Sequence, residues 1–347
     1  MKVPLPAARA AILAAALAAG AADPAFAADA PGRALDTIKQ RGVLLCGVNE
    51  GLAGFSASDG KGHWAGFDID YCKAIAAAVL GDDAKVKYVP VTAKERFSAL
   101  QSGDIDVLIR NTTWTSSRDS ALGLAFTGVN YFDGQGFMVR ASRGIKSVAG
   151  LDGARVCVGA GTTTELNLAA YFKTNKMTYA PLLFDRLEEA VQAYLAGRCD
   201  AYTTDISALY SVRVQLARPR DHVILPDIIS KEPLGPSVRQ GDPQWFAVVR
   251  WVHFLLLNAE ELDVGQDNVA EMASSEDPDI RLLLGKEGNF GEGLGLSNDF
   301  AVKVIKAVGN YGEVFERNVG SESRLKIERG LNNLWNKGGL QYAPPVR

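Results

Sequence analysis

The chain has 347 residues, 37 Lys and Arg against 40 Asp and Glu, a formal charge of −3, and 47% hydrophobic residues. A mildly acidic chain without a basic cluster is unsuited to neutralising phosphates, so nucleic acid is excluded as a partner. The length exceeds what one hydrophobic core usually supports, and two structural units are expected.

The N-terminus, MKVPLPAARAAILAAALAAGAADPAFAADA, places Lys2 and Arg9 ahead of an Ala/Leu run too short to span a bilayer. With the small residues of Ala25-Phe26-Ala27 behind it, the segment 1–27 reads as a secretory signal peptide and the mature chain as starting near Ala28. Export to an oxidising compartment turns the four cysteines, which lack C-x-x-C spacing, into disulfide candidates, with three pairings open. No cysteine lies near the cleavage site, so lipid anchoring is not expected.

VLLCGV (43–48) reads as a buried strand, followed by a Gly-rich loop and the helix FDIDYCKAIAAAVL. KVKYVPV (85–91) is the next strand; Thr92 and Glu95 form a T-x-x-E capping box for the helix after it, and DIDVLI gives a third strand. The second half repeats this order: ARVCVG (154–159), a Gly/Thr loop with Thr162 and Glu165 again spaced as a capping box, the helix LNLAAYFKTN, the strand TYAPLLF, the helix RLEEAVQAYLAG and the strand CDAYTTD. FSALQSGDIDVLI and VQAYLAGRCDAYT run alike from apolar helix through glycine to an aspartate three residues on, which points to two related α/β lobes.

YFDGQGFMVR (131–140) and ILPDIISKEPLGPSVRQGDP (224–243) are extended and rich in Gly and Pro, and read as crossings between the lobes. Asp242-Pro243 opens a long helix through Leu257. Its segment WVHFLLL, bounded by Arg250 and Glu260, reads as a buried helix rather than a membrane span. Ser297-Asn298 caps one further helix, DFAVKVIKAVGNYGEVFERN; these C-terminal helices are expected to return and cover the first lobe.

In open α/β sheets ligands sit beyond the C-terminal strand ends. Here those ends carry Asn49 to Phe55, Arg110 to Arg118, Gly161 to Thr164, and Asp205. Arg118 offers a planar fork for a carboxylate, the helix opening at Thr162 offers unpaired N–H groups, and Asp205 accepts hydrogen bonds from an ammonium group. A carboxylate site and an ammonium site together describe a free α-amino acid. Each position also has a bland alternative: Arg118 as a surface ion pair, Thr162 as a helix cap only, Asp205 as a turn or cap residue.

Catalytic readings are weaker. His63, His222 and His253 sit in no nucleophile or metal motif, and His253 within its apolar helix reads as a core residue. Gly159-Ala160-Gly161 begins like a dinucleotide loop, but Thr164 stands where a third glycine is needed. Asn111-Thr112-Thr113 is formally a glycosylation sequon; its strand-end context favours a ligand loop.

GFDIDYCKAIAAAV, FSALQSGDIDVLIRNTTWTSSRD, VCVGAGTTTELN, GRCDAYTTD, SKEPLGPSVRQGDPQW and LWNKGGLQYAPPVR together resemble the general L-amino-acid-binding proteins of polar amino acid ABC importers, within family 3 of periplasmic solute-binding proteins. The resemblance implies a type II, venus-flytrap α/β fold with two hinge strands. The corresponding division is 28–135 for the first part of lobe 1, 136–230 for lobe 2 and 231–347 for the return. It implies capture without chemistry or cofactor, delivery to a membrane permease driven by a cytoplasmic ATPase, a periplasmic location and a monomer. It assigns the ligand α-carboxylate to Arg118 with Thr113 and the Asn111 main chain, second-lobe carboxylate donors to Thr163 with Thr162, and the α-ammonium to Asp205; Gly161 of the same strand-end loop is a further candidate for ligand contact.

VNEGLAGF departs from relatives specific for basic amino acids, placing Asn49 where an acid would bind a basic side chain and Phe55 at the end of the same loop. Arg110 is a further cation near the pocket, expected to favour Glu, Gln, Asp and Asn. The expected bridges are Cys46 with Cys72, on a strand and the helix over it, and Cys157 with Cys199, on two strands of the second lobe. Each would contribute about 3 to 4 kcal/mol by constraining the unfolded chain. The rival classes are a dehydratase on the same fold, with Asp205 or Glu165 as its acid, and the ligand-binding module of a sensor.

Overall fold

The computed structural model describes Met1 and residues 33–347; all of the expected signal peptide, 1–27, except Met1 lies outside the described residues. The chain runs α1 (Arg33–Arg41), β1 (Leu44–Val48), the small hairpin β2 (Ala57–Ser58) and β3 (Trp64–Ala65), α2 (Phe67–Leu80), β4 (Val86–Pro90), α3 (Arg96–Ser102), β5 (Val107–Leu108), α4 (Ser116–Ala121) and β6 (Leu124–Phe126). It continues with β7 (Tyr131–Arg140), β8 (Ala154–Gly159), α5 (Thr163–Thr174), β9 (Tyr179–Phe184), α6 (Leu187–Leu195), β10 (Ala201–Asp205), α7 (Ile206–Gln215), β11 (His222–Ile224), β12 (Lys231–Leu234) and β13 (Ser237–Arg239). The C-terminal helices are α8 (Pro243–Glu261), α9 (Val269–Met272), α10 (Pro278–Leu283), α11 (Phe290–Gly293), α12 (Phe300–Val308) and α13 (Tyr311–Asn318).

Two sheets result, ordered β4-β1-β5-β13-β6 and β11-β7-β10-β8-β9. In the first, β1 is parallel to β4 and β5, and β13 is antiparallel to β5; in the second, β8 is parallel to β9 and β10, and β7 is antiparallel to β10. The repeat seen in the sequence is thus a repeat of topology, with β1, β4 and β5 matched by β8, β9 and β10. Its parallel strands are apolar runs because helices cover their faces.

The α2 helix is buried along nearly its whole length, from Phe67 to Val79, and stops where Gly81 takes a left-handed φ of 70°. It lies in one apolar cluster with α8, α12 and α13, so the C-terminal helices cover the first lobe. The start of α8 follows from Pro243 at its first position and Asp242, whose carboxylate accepts from Trp245 N at 2.9 Å. The expected single helix over 299–318 is two. Gly309 adopts φ 76°, and Asn310 opens α13 with a complete capping box to Glu313.

The lobes are joined by paired crossings. β7 pairs over Tyr131–Gly134 with β12, and farther along with β10 and β11. A Cβ on Gly235, just after β12, would lie 1.9 Å from the Gly128 carbonyl oxygen in the other crossing, an approach only glycine allows. One disulfide sits in each lobe, Cys46–Cys72 between β1 and α2 and Cys157–Cys199 beside β8 and β10. Among the described residues no helix is long and apolar enough to cross a membrane.

Candidate functional site

The C-terminal ends of the matched strands face one another across the cleft and enclose a cavity of about 80 Å³. That is far below the roughly 300 to 1,000 Å³ of drug-sized ligand sites, and suits one small solute. Of the expected binding residues, Asn49, Arg110, Asn111, Thr113, Thr162, Thr163 and Asp205 line it.

Asp205 ends β10 and precedes α7, yet its side chain does not cap that helix. The helix start is instead served by Asp133, which accepts from the backbone N–H and hydroxyl of Ser207. This leaves the Asp205 carboxylate for the cleft, where it accepts from Asn111 Nδ2 at 3.1 Å, while Asn49 Nδ2 donates to Asn111 Oδ1 at 3.0 Å. Burial, together with Asp133 and Glu232, pushes the Asp205 carboxyl well above the ordinary 3.8. The Asn111 amide and the charge of Arg96 act against that push. A cationic group beside Asp205 would relieve it.

The first lobe contributes cations. Arg110 Nε donates to the Val91 carbonyl at 3.0 Å, and burial lowers the guanidinium to about 10 against the pull of Glu50, Asp68 and Asp205. Arg96, on the first turn of α3, is 3% exposed and lines the cavity. Its Nη1 donates to Thr112 Oγ1 at 3.2 Å and its Nε has no partner. Burial, then Arg110 and Arg118, presses Arg96 well below the ordinary arginine value. Since arginine stays charged in proteins, this marks a buried cation short of counter-charge.

Arg118 is 7% exposed and stands behind the cavity wall, with its guanidinium 5.1 Å from the Phe97 ring centroid. Its Nη1 donates to the Thr113 carbonyl at 2.7 Å, which fixes one arm of the fork. The Thr113 and Thr163 hydroxyls both donate to Glu232 Oε2, at 2.6 and 2.9 Å, while Asn167 and Ser230 supply Oε1. A buried carboxylate of β12 thus holds the two threonines that carry the expected carboxylate site.

Three of the expected residues, Arg118, Phe55 and Gly161, are not among those lining the cavity. Phe55 does not line the cavity: the Leu52–Ser56 bridge turns its ring into the core, 5.3 Å from Tyr131 and 6.1 Å from Phe67. Gly161 does not line it either; its N–H donates to Glu165 Oε2 at 2.8 Å, and its φ of 70° makes it a turn residue. Thr162 is a helix cap, accepting from Glu165 N at 3.2 Å, as well as a wall residue. The box is altered, because Glu165 reaches Gly161 rather than the cap residue itself. His253 is buried and bonded to Tyr71 Oη at 2.9 Å, away from the cleft, with burial lowering it to about 4.

The lobes also touch through charge. Glu50 of the first lobe pairs with Arg186 of the second at 3.0 Å, and Lys94 pairs with Asp185. Sequence reading missed Arg96, Glu232 and both ion pairs. For Arg96 one local signal existed, its place one residue after the Thr92–Glu95 capping box on a helix opening at a strand end.

The model of the bacterial extracellular solute-binding proteins, family 3, matches residues 44–338. The general L-amino acid-binding periplasmic protein of Rhizobium johnstonii is 62% identical over 90% of this chain and 92% of its own length. The glutamate/glutamine/aspartate/asparagine-binding protein of Rhodobacter capsulatus is 56% identical over 90% of this chain and 93% of its own. Among solved structures, an ABC transporter periplasmic binding protein from Brucella ovis with glutathione bound superposes with a TM-score of 0.89 at 62% identity, covering 90% of this chain and 99% of that one. This chain belongs to family 3 of the bacterial extracellular solute-binding proteins, with the family's two-lobed type II fold.

Proposed function

We propose that this family member captures free L-amino acids in the periplasm and presents them to the membrane permease of an ABC importer. The observation that carries the reading is an interlobe cavity lined by the Arg96 and Arg110 guanidinium groups on one side and the Asp205 carboxyl on the other, the charge pattern of an amino acid zwitterion. In this account Arg118 takes the α-carboxylate with its free arm, joined by the Asn111 main chain and by the Thr113 and Thr163 hydroxyls once they turn from Glu232 to the ligand. Asp205 takes the α-ammonium in place of the Asn111 amide. The donors lie on separate lobes, so binding and closure at the paired crossings are one event.

Arg96 and Arg110 extend the reading to the side chain. Two buried cations lining the cavity favour a carboxylate or amide there, hence Glu, Gln, Asp and Asn, in keeping with the four ligands for which the Rhodobacter relative is named. The glutathione-holding relative widens the ligand range to a glutamate whose γ-carboxyl is in amide linkage. The signal-peptide pattern and the periplasmic relatives support the location, and in this reading the protein acts as a monomer that delivers to the permease and its ATPase. Capture without turnover is favoured over a dehydratase, because Glu165 is engaged by Gly161 and the relatives are solute-binding proteins.

The test is calorimetry with the twenty amino acids on unfolded and refolded protein, with ligand recovered intact afterwards. Binding of acidic and amide amino acids without loss of ligand supports the reading; substrate consumption would replace it with the enzymatic one.

A further inference from the structure

A second cavity of about 400 Å³ lies directly outside the first, and the two share Asn49, Glu50, Arg186 and Leu187. We propose that it is a second subsite, which receives the side-chain extension of a γ-glutamyl peptide whose amino acid head occupies the inner cavity. This rests on the amino acid reading of the inner cavity. It adds where the rest of a longer ligand goes and what admits it.

The partition between the cavities is the Glu50–Arg186 ion pair. The Arg186 side chain is 52% exposed, and pairs of this kind contribute little to stability, so it swings aside readily. Beyond it, Val191 of α6 with Val212 and Leu216 at the end of α7 give an apolar wall, and Gln192 and Gln215 give amide groups. Such a lining suits a short peptide, whose backbone needs hydrogen-bond partners and whose side chain needs apolar contact. Arg186 has further donors in its fork for a terminal carboxylate, whereas Glu188 on the same rim disfavours a second acidic group.

The γ linkage follows from the inner geometry. It leaves α-ammonium and α-carboxylate on one carbon, as Asp205 and Arg118 require, and its amide carbonyl still accepts from Arg96. An α-linked peptide displaces the carboxylate from that carbon and loses the match.

The experiment titrates the refolded protein with L-glutamate, with S-methylated γ-Glu-Cys-Gly and with its α-linked isomer. The first two bind, and the α-linked isomer binds at least about tenfold more weakly than the γ-linked peptide. Leu216→Trp fills the outer cavity and weakens the γ-linked peptide by about tenfold or more while leaving L-glutamate within about twofold. Gln192→Trp, on an exposed position that cannot perturb the core, repeats the effect. A protein that binds L-glutamate but not the γ-linked peptide, or whose peptide affinity ignores both tryptophans, overturns the subsite and leaves the amino acid reading standing. A protein that binds neither ligand overturns both.

Discussion

The third parallel strand of each sheet occupies the same place beside an antiparallel crossing strand, yet β5 leads into Arg110 and β10 ends in Asp205. Around them the difference widens: the first lobe adds Arg96 and Arg118, whereas the paired crossings bring Asp133 and Glu232 near Asp205. In the proposed reading, one backbone scheme used twice, with the strand-end charge inverted, gives half-sites for the opposite ends of a zwitterion, and that would couple lobe closure to ligand binding.

Breaking the acidic half gives the largest effect. Asp205→Ala removes the ammonium acceptor, and since hydrogen bonds to charged groups contribute roughly 1.5 to 3 kcal/mol, affinity falls by about ten to a hundred-fold in calorimetry for every amino acid ligand. Arg118→Ala breaks the cationic half, with a loss of tens of fold and likewise no dependence on side chain. Arg96→Met and Arg110→Ala sharpen the contrast within that half. Each reduces Glu and Gln affinity by about tenfold relative to Leu, measured in competition, because these cations read the side chain.

A smaller effect follows from protonation. Burial raises the Asp68 carboxyl to about 7 and that of Asp133 to about 6, from an ordinary 3.8. The unfolded chain loses these protons near pH 4 and the folded protein keeps them longer. Their stabilising effect is therefore complete below about pH 4 and is lost as pH rises through 6 and 7. Denaturation of the ligand-free protein should show that decline. Ligand affinity moves the other way, rising with pH as Asp205 loses the proton that competes with the ligand ammonium. The smallest effect is at the rim: Lys94→Ala removes an exposed ion pair with Asp185 and changes affinity by about 1 kcal/mol or less.

Much of this was legible in the chain because it is written locally. The strand and helix periods, the Gly-to-Asp echo before β5 and β10, and Asp205 closing CDAYTTD can each be read within a dozen residues. What escaped depends on distant partners. Arg96 sits in an ordinary helical turn and becomes a site residue only because α3 is set beside the cleft. Glu232 lies in a Pro-rich crossing and acquires its role from threonines that are 119 and 69 residues away. Phe55 was misplaced for the same reason, since the turn at Leu52 and Ser56 decides which way its ring faces. The split between α12 and α13 was readable, as Gly309 followed by Asn310 and Glu313 is a stop and a capping box in sequence.

The division of charge between the lobes is tested most directly by comparing L-glutamine with 4-carbamoylbutanoate, its α-deamino analogue, on the refolded protein by calorimetry. The analogue keeps the carboxylate and the side-chain amide and carries hydrogen in place of the ammonium group, so it lacks the cation that Asp205 is held to receive and adds no bulk. Binding of L-glutamine with a loss of about tenfold or more for the analogue is the predicted result. Equal affinity for the two would contradict the account.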